Sequence, residues 1–422
     1  MMKKFTVVLV VLAMTCLSSM ALAADVTLGG SVQLRSRDFQ TLSLDKTVHT
    51  ANQVDTQERI MIDVNVKSEG AAGKISLWND FQTWGGNSGG FENTQGVGFG
   101  KSGTDGSAFG FREAWLLFNV PGVPVTVKAG HQLLQLGGGW FFRSMHFGSD
   151  AWVAFNDTGA NHLGFVNVKI AEGASAKADD DIDAYVIVDT YKINDTNKIG
   201  VDLTMANDRG NGLGFNTAGY DTKAQNLGIN YNGKLGPVNL FAQVDMQSGK
   251  AKGATEDRKL KGNEVVIQGK VPMDAVTINF TLARGSGKKA GDTSVDYKQF
   301  VNFMDVDPHY TFLYEYKIAT AAGKKNTGFS NTTAISAGAM LAATKSVSVG
   351  LDVWYLQATE KCVSVKDPTA YSKDAGTEVD AKINWKISDN LAWNWDLGYY
   401  KPGAAIGKDA ATGIMGVLAY KF

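Results

Sequence analysis

From Val26 onward the chain alternates between apolar and polar residues at a period of two, in blocks that close on Gly, Asn, Asp or Ser. The first block sets Val26, Leu28, Gly30, Val32 and Leu34 against Thr27, Gly29, Ser31, Gln33 and Arg35. Ile60, Ile62, Val64 and Val66 then oppose Arg59, Met61, Asp63, Asn65 and Lys67, and the same alternation returns at 199–205, 238–247, 276–282, 335–341 and 347–355. It is sharpest near the end, where Val379, Ala381, Ile383, Trp385 and Ile387 oppose Asp380, Lys382, Asn384 and Lys386. After Ser388-Asp389-Asn390, Leu391, Trp393, Trp395 and Leu397 oppose Asn394 and Asp396. Successive side chains of a strand point to opposite faces, so each block predicts a strand with one greasy and one wet side.

The blocks run to about ten residues, enough to cross a bilayer at a tilt, whereas strands of soluble sandwiches are more often about five or six. Short connections (Pro121 to Pro124, Gly233 to Pro237, Thr344 to Ser346, Ser388 to Asn390) alternate with long ones (Gly85 to Gly110, Asn207 to Asp221, Gly249 to Lys259, Glu360 to Gly376). Aromatic residues gather near strand ends, among them Trp78, Trp84, Trp140, Tyr355, Trp393, Tyr399 and Tyr420. Ionic inner faces, end-placed aromatics and alternating loop lengths together predict an all-β fold, a transmembrane antiparallel up-and-down β-barrel. The block count gives about 18 strands, within a range of 16 to 20. The range reflects two segments open to either reading, Asp150 to Phe155 and Ser294 to Met304. An even count puts both termini on one side.

Composition agrees. Gly accounts for 48 of 422 residues and Pro for only 7, so turns are made chiefly by Gly and Asn. Residues 1–23 read as a cleaved signal peptide: Lys3 and Lys4, an apolar stretch from Phe5 to Leu17, then Ala21-Leu22-Ala23. The single domain expected in the mature protein is 24–422. Removing Lys3 and Lys4 from 41 basic residues leaves 39 against 42 acidic, a net charge of -3. That balance excludes a basic surface for nucleic acid. Cleavage also leaves Cys362 as the one cysteine, so no internal disulfide is expected.

The terminal segment sets Ile414, Gly416, Leu418, Tyr420 and Phe422 on one face. It resembles the last strand of bacterial outer-membrane porins. The resemblance implies that Leu418, Tyr420 and Phe422 form an assembly signal read by the barrel-assembly machinery. It also implies a Gram-negative outer-membrane location and contact with membrane lipid and lipopolysaccharide. A second similarity, to alginate-export-type large porins, rests on Phe111 to Phe118, Lys128-Ala129-Gly130-His131-Gln132-Leu133 and Ser149-Asp150-Ala151-Trp152. Porins occur as monomers or homotrimers, and the sequence leaves that choice open.

A porin works by sterics and fixed charge, with no bond made. The expected pore lining is Arg35, Arg37, Arg59, Asp63, Lys67, Asp80, Lys128 and Gln132, with Arg143 and Asp150 from a segment, Gln135 to Asn161, read as an inward-folded constriction. Small hydrophilic solutes and ions are the expected cargo, and neither a cofactor nor a metal is called for. The acidic run Asp179-Asp180-Asp181-Ile182-Asp183 lacks the spacing of a calcium loop. Two alternatives compete with the pore. One is a barrel sheathing an electron-transfer protein, although the chain has no Cys-x-x-Cys-His of its own for c-type haem. The other is an outer-membrane enzyme such as a lipid hydrolase, for which His146 with Asp150 is the one candidate dyad.

Overall fold

The computed structural model describes residues 24–49, 52–84, 109–172, 181–209, 221–253, 256–304, 309–318 and 328–422. Residues 1–23, read above as a signal peptide, most of the 85–110 and 207–221 connections, and Asp179 and Asp180 lie outside them. The strands run in chain order β1 (Asp25–Gln40), β2 (Gln53–Ser68), β3 (Ala71–Trp78), β4 (Gln82–Thr83), β5 (Gly110–Asn119), β6 (Thr126–Gln135) and β7 (Phe142–Thr158). Next come β8 (Asn161–Ala171), β9 (Ile182–Asn194), β10 (Asn197–Arg209), β11 (Asp221–Leu235), β12 (Val238–Lys252), β13 (Asp257–Lys259) and β14 (Asn263–Met273). The last are β15 (Val276–Gly285), β16 (Phe303–Met304), β17 (Thr332–Ala342), β18 (Val347–Val363), β19 (Tyr371–Lys386), β20 (Leu391–Pro402) and β21 (Ala411–Lys421).

Setting aside the two- and three-residue pieces β4, β13 and β16, 18 long strands pair antiparallel with their chain neighbours and close into a barrel. Closure is between β1 and β21, from Ser31↔Lys421 to Gln40↔Thr412. Just beyond that register Gly30 and Phe422 exchange backbone hydrogen bonds of 3.0 and 3.1 Å. A side chain at Gly30 would not fit, because a Cβ there would come within 2.7 Å of the Phe422 ring. A closed sheet leaves no unpaired strand edge, which is the condition for spanning lipid with strands.

The aliphatic face of each strand points outward. Leu28 and Leu116 are 67% exposed, and Ile62, Ile187, Val244, Ile278 and Leu351 follow the same side. A belt of this extent on a water-soluble surface would drive aggregation, whereas in lipid it costs nothing. Trp385 and Trp393 stack at 6.3 Å beside the 387–390 turn, and Tyr420 and Phe422 do so at the closing strand. No helix among the described residues is long and apolar enough to cross a membrane.

Asp150 to Phe155 is wall strand, inside β7. Ser294 to Met304 is not: Phe303 and Met304 pair parallel to Phe142 and Arg143, and Tyr297 makes a single parallel bridge to Leu260. Two expected loops are shorter than the sequence suggests. β12 reaches Lys252, with β13 pairing back on it, and β18 and β19 extend to within 364–370.

The inner face is not wet throughout. Ala151, Val166, Val168, Ala184, Val186, Ala206 and Ala224 point inward and are buried with Leu136, Phe141, Phe142 and Phe300. Two stretches fold into the barrel and cover them: 136–141, between β6 and β7, and 297–303, between β15 and β17. Strands β7 to β11 are therefore apolar on both sides over part of their length, because one side meets lipid and the other meets protein.

Candidate functional site

The 136–141 turn reaches across the lumen. The Gly138 N–H donates to Gln243 Oε1 on β12 at 2.7 Å. Trp140 packs on Phe329 at 4.7 Å and on Tyr310 at 6.4 Å, while Phe141 meets Phe303 at 5.5 Å. The second connection adds a helical turn, Tyr314–Ile318, whose start is held by the opposite wall: the Tyr314 N–H donates to Glu378 at 2.8 Å and the Phe312 N–H to Asp380 at 3.3 Å. Together the two segments cross the lumen, 136–141 reaching β12 and 309–318 held against β19 to β21.

Between the second segment and strands β1, β2 and β19 to β21 lies a cavity of about 520 Å³. Arg35, Gln57 and Arg59 line it from β1 and β2, Lys382 and Asp396 from β19 and β20, and Met415 and Val417 from β21. Asp80, Phe81, His146, Tyr310, Phe312 and Tyr316 complete it from the connections and the start of β7. Its centre is an aromatic stack of unusual composition. The Phe81 ring lies 3.4 Å from the Arg35 guanidinium carbon and 3.8 Å from that of Arg59. Phe81 takes a left-handed backbone, φ 47°, to place its ring there, a conformation that a bulky residue keeps only when its surroundings enforce it. Arg35 also donates to Gln57 Oε1, and Arg59 is ion-paired with Asp80, which bonds His146 Nε2 at 3.2 Å.

The expected lining residues divide by place. Arg35, Arg59 and Asp80 lie on the cavity wall. Arg37 sits one step along β1 in a two-point ion pair with Asp55, at 2.8 and 2.6 Å. Asp63 belongs to a second inward cluster, 3.6 Å from Lys74, which bonds Glu113 at 2.6 Å. Lys128 lies 4.1 Å over the Trp115 ring beside that cluster. Lys67 is exposed near the 69–70 turn. Gln132 is 1% exposed and spends its amide on backbone, donating to the Ala151 carbonyl at 2.9 Å, so its role is to tie the wall. Arg143 is bonded to Gln135 against the 136–141 turn and is not on the cavity.

Asp150 departs from expectation. The register between β6 and β7 slips between Gln132 and Leu134, with Met145 to Gly148 looped out and Gly148 at φ 83°. A bulge reverses which residues face inward. Asp150 therefore shares the outer face with Trp152, its side chain 71% exposed and bonded to His131 Nδ1 at 2.8 Å. His146, within the looped-out stretch, faces the cavity. The two cannot form a dyad, and the stretch that folds inward is 136–141, shorter than the Gln135 to Asn161 expected. The acidic run likewise forms no ligand cage: Asp181 and Asp183 pair with Lys169 at 2.8 and 3.2 Å, and no metal-holding group of three occurs among the described residues.

No family pattern and no curated protein matches the chain. Solved structures do. The chain is similar to a BenF-like porin from Pseudomonas fluorescens Pf-5, with a TM-score of 0.58 at 11% identity over 94% of this chain and 98% of that one. It is equally similar to Pseudomonas aeruginosa OccK9 (OpdG), with a TM-score of 0.59 at 9% identity, and to OpdK solved with vanillate, at 0.55 and 9%, both over 94% and 98% of the two chains. The fold is that of these porin barrels. A specific likeness to alginate-export-type porins is not what these matches show; Phe111 to Phe118, Lys128 to Leu133 and Ser149 to Trp152 lie on three adjacent wall strands, β5, β6 and β7.

Sequence reading missed Phe81, Lys382, Asp396, His309 and the aromatic run Tyr310, Phe312, Tyr314, Tyr316. The run alternates at period two like a wall strand, and only its position between β15 and β17 reveals it as lumen filling.

Proposed function

We propose that the chain is an outer-membrane channel through which small hydrophilic solutes and ions diffuse, and that their path runs off-centre, past Arg35, Arg59, Asp80, Lys382 and Asp396. The observation that carries this reading is a charged cavity of about 520 Å³ inside a closed barrel whose outside is apolar. Solutes bearing a carboxylate suit the paired guanidinium groups best, because a planar, bidentate donor matches that anion. Vanillate, present in one of the similar structures, is a small carboxylate with an aromatic ring, and Phe81, Tyr310 and Tyr316 offer ring surface beside the charge.

Export would remove residues 1–23, and Leu418, Tyr420 and Phe422 would present the closing strand to the assembly machinery. The lumen argues against a sheath, since 136–141 and 309–318 cross it and occupy space that a second folded protein would need. The test is direct: purified protein in a planar bilayer gives stepwise current that is reduced by added small carboxylates. A folded but silent protein would remove the channel reading and leave only the barrel.

A further inference from the structure

We propose that Glu378 and Asp380 are a latch: they hold the 309–318 segment across the lumen and so set the bore of the cavity. This rests on the channel reading above. The two carboxylates stand two residues apart on the inward face of β19, 0% and 3% exposed. They grip three consecutive peptide N–H groups, with Glu378 accepting from Leu313 and Tyr314 and Asp380 from Phe312. Those N–H groups start a helical turn and have no partner within it, so the wall supplies what the segment cannot. Hydrogen bonds to a carboxylate are the strong kind.

The neighbouring wall is shaped to fit. A Cβ on Gly398 would come within 2.7 Å of the Phe312 ring and 3.0 Å of Leu313, and one on Gly413 within 2.9 Å of Leu313. Two glycines on β20 and β21 thus form a socket beside the two acids. Sinking two carboxylates into a protein interior is expensive, and an apolar pair would hold the segment at lower cost. A polar grip differs from apolar packing in that it can be broken and remade without disturbing the barrel. Asp380 and Phe312 both face the cavity, so releasing the latch widens the path itself.

The experiment compares single-channel conductance of the wild type with the Glu378→Ala/Asp380→Ala variant and with Glu378→Gln, which keeps the volume and one acceptor oxygen. The latch predicts a rise of about twofold or more, with added current noise, in the double variant, and an intermediate value for Glu378→Gln. The decisive arm adds Leu313→Cys and Gly398→Cys to the double variant in a Cys362→Ser background. Oxidation should return the conductance to the wild-type level and reduction should raise it again. A conducting wild type with unchanged variants, or a staple whose oxidation state does not matter, overturns the latch and leaves the channel standing. A silent wild type overturns both. Should the double variant not fold, the same staple in the Glu378→Gln chain decides: conductance that falls on oxidation and rises on reduction supports the latch, and conductance equal to the wild type's in both states refutes it.

Discussion

Reversing the charge of Arg35 and Arg59 to Glu should turn the channel toward cations, and the size of the change can be worked out. The guanidinium groups flank one ring at 3.4 and 3.8 Å, and a hydrated ion in the 520 Å³ cavity passes each of them closely. At a separation of about 6 Å and an effective dielectric of about 40, one unit charge contributes roughly 1.4 kcal/mol. Each substitution changes two units, so the pair sums to about 5 to 6 kcal/mol before screening. Salt reduces this to about 3 kcal/mol at 0.1 M and to under about 1 kcal/mol at 1 M, given Debye lengths of about 10 and 3 Å. Relaxation of Asp80, Lys382 and water lowers it further, leaving a shift of about tenfold or more in the anion-to-cation permeability ratio at 0.1 M. The assay is the reversal potential across a KCl gradient, at both salt levels. A reversal potential that does not move at 0.1 M, with the barrel folded, would show that the two arginines are off the permeation path.

Phe81→Ala removes the ring that separates the guanidinium groups, so like charges approach and carboxylate block of the current should weaken several-fold, while conductance in plain KCl changes little; equal block would refute the stack's role. Lys317 on the second in-folded segment is 8% exposed, with its Nζ 4.7 Å over Phe39, 4.1 Å over Tyr316 and 3.3 Å from Gln53. Burial, with Arg37 and Arg35 adding and Asp55 opposing, pushes its pKa down to about 6. A docked lysine that releases its proton more readily than a free one docks best at high pH, so docking should strengthen as pH rises from about 6 toward the ordinary lysine range and stay weakest below it. Current noise from the segment should fall over that span, and Lys317→Met should flatten the dependence; a dependence that survives the substitution would contradict the assignment. Gly30→Val puts a side chain where the Phe422 ring sits, and should cost roughly 1–3 kcal/mol of barrel stability by overpacking, read as a lower unfolding midpoint in detergent.

The wall was legible in the sequence because lipid outside and water inside impose one periodicity on every strand. Val379 to Ile387 and Leu391 to Leu397 could be assigned to faces residue by residue. Legibility failed where a third environment intervenes. Val166 and Val186 point inward yet are apolar, since protein covers them, and nothing local to β8 or β9 announces that. Asp150 was misplaced by one bulge, in which Met145 to Gly148 have no partner on β6 and Gly148 takes φ 83°. Arg35, Arg59 and Asp80 were found by parity and charge alone. Their partner Phe81 was not, because an aromatic residue in a connection carries no periodic signal; only the fold brings it between two cations.

Thiol block distinguishes the charged side of the lumen from the filled side. In a Cys362→Ser background, a negatively charged thiol reagent should cut single-channel current through Val417→Cys, which lines the cavity, and leave Val166→Cys, buried beneath the in-folded segments, unaffected. Block at Val166→Cys with none at Val417→Cys would contradict the off-centre path.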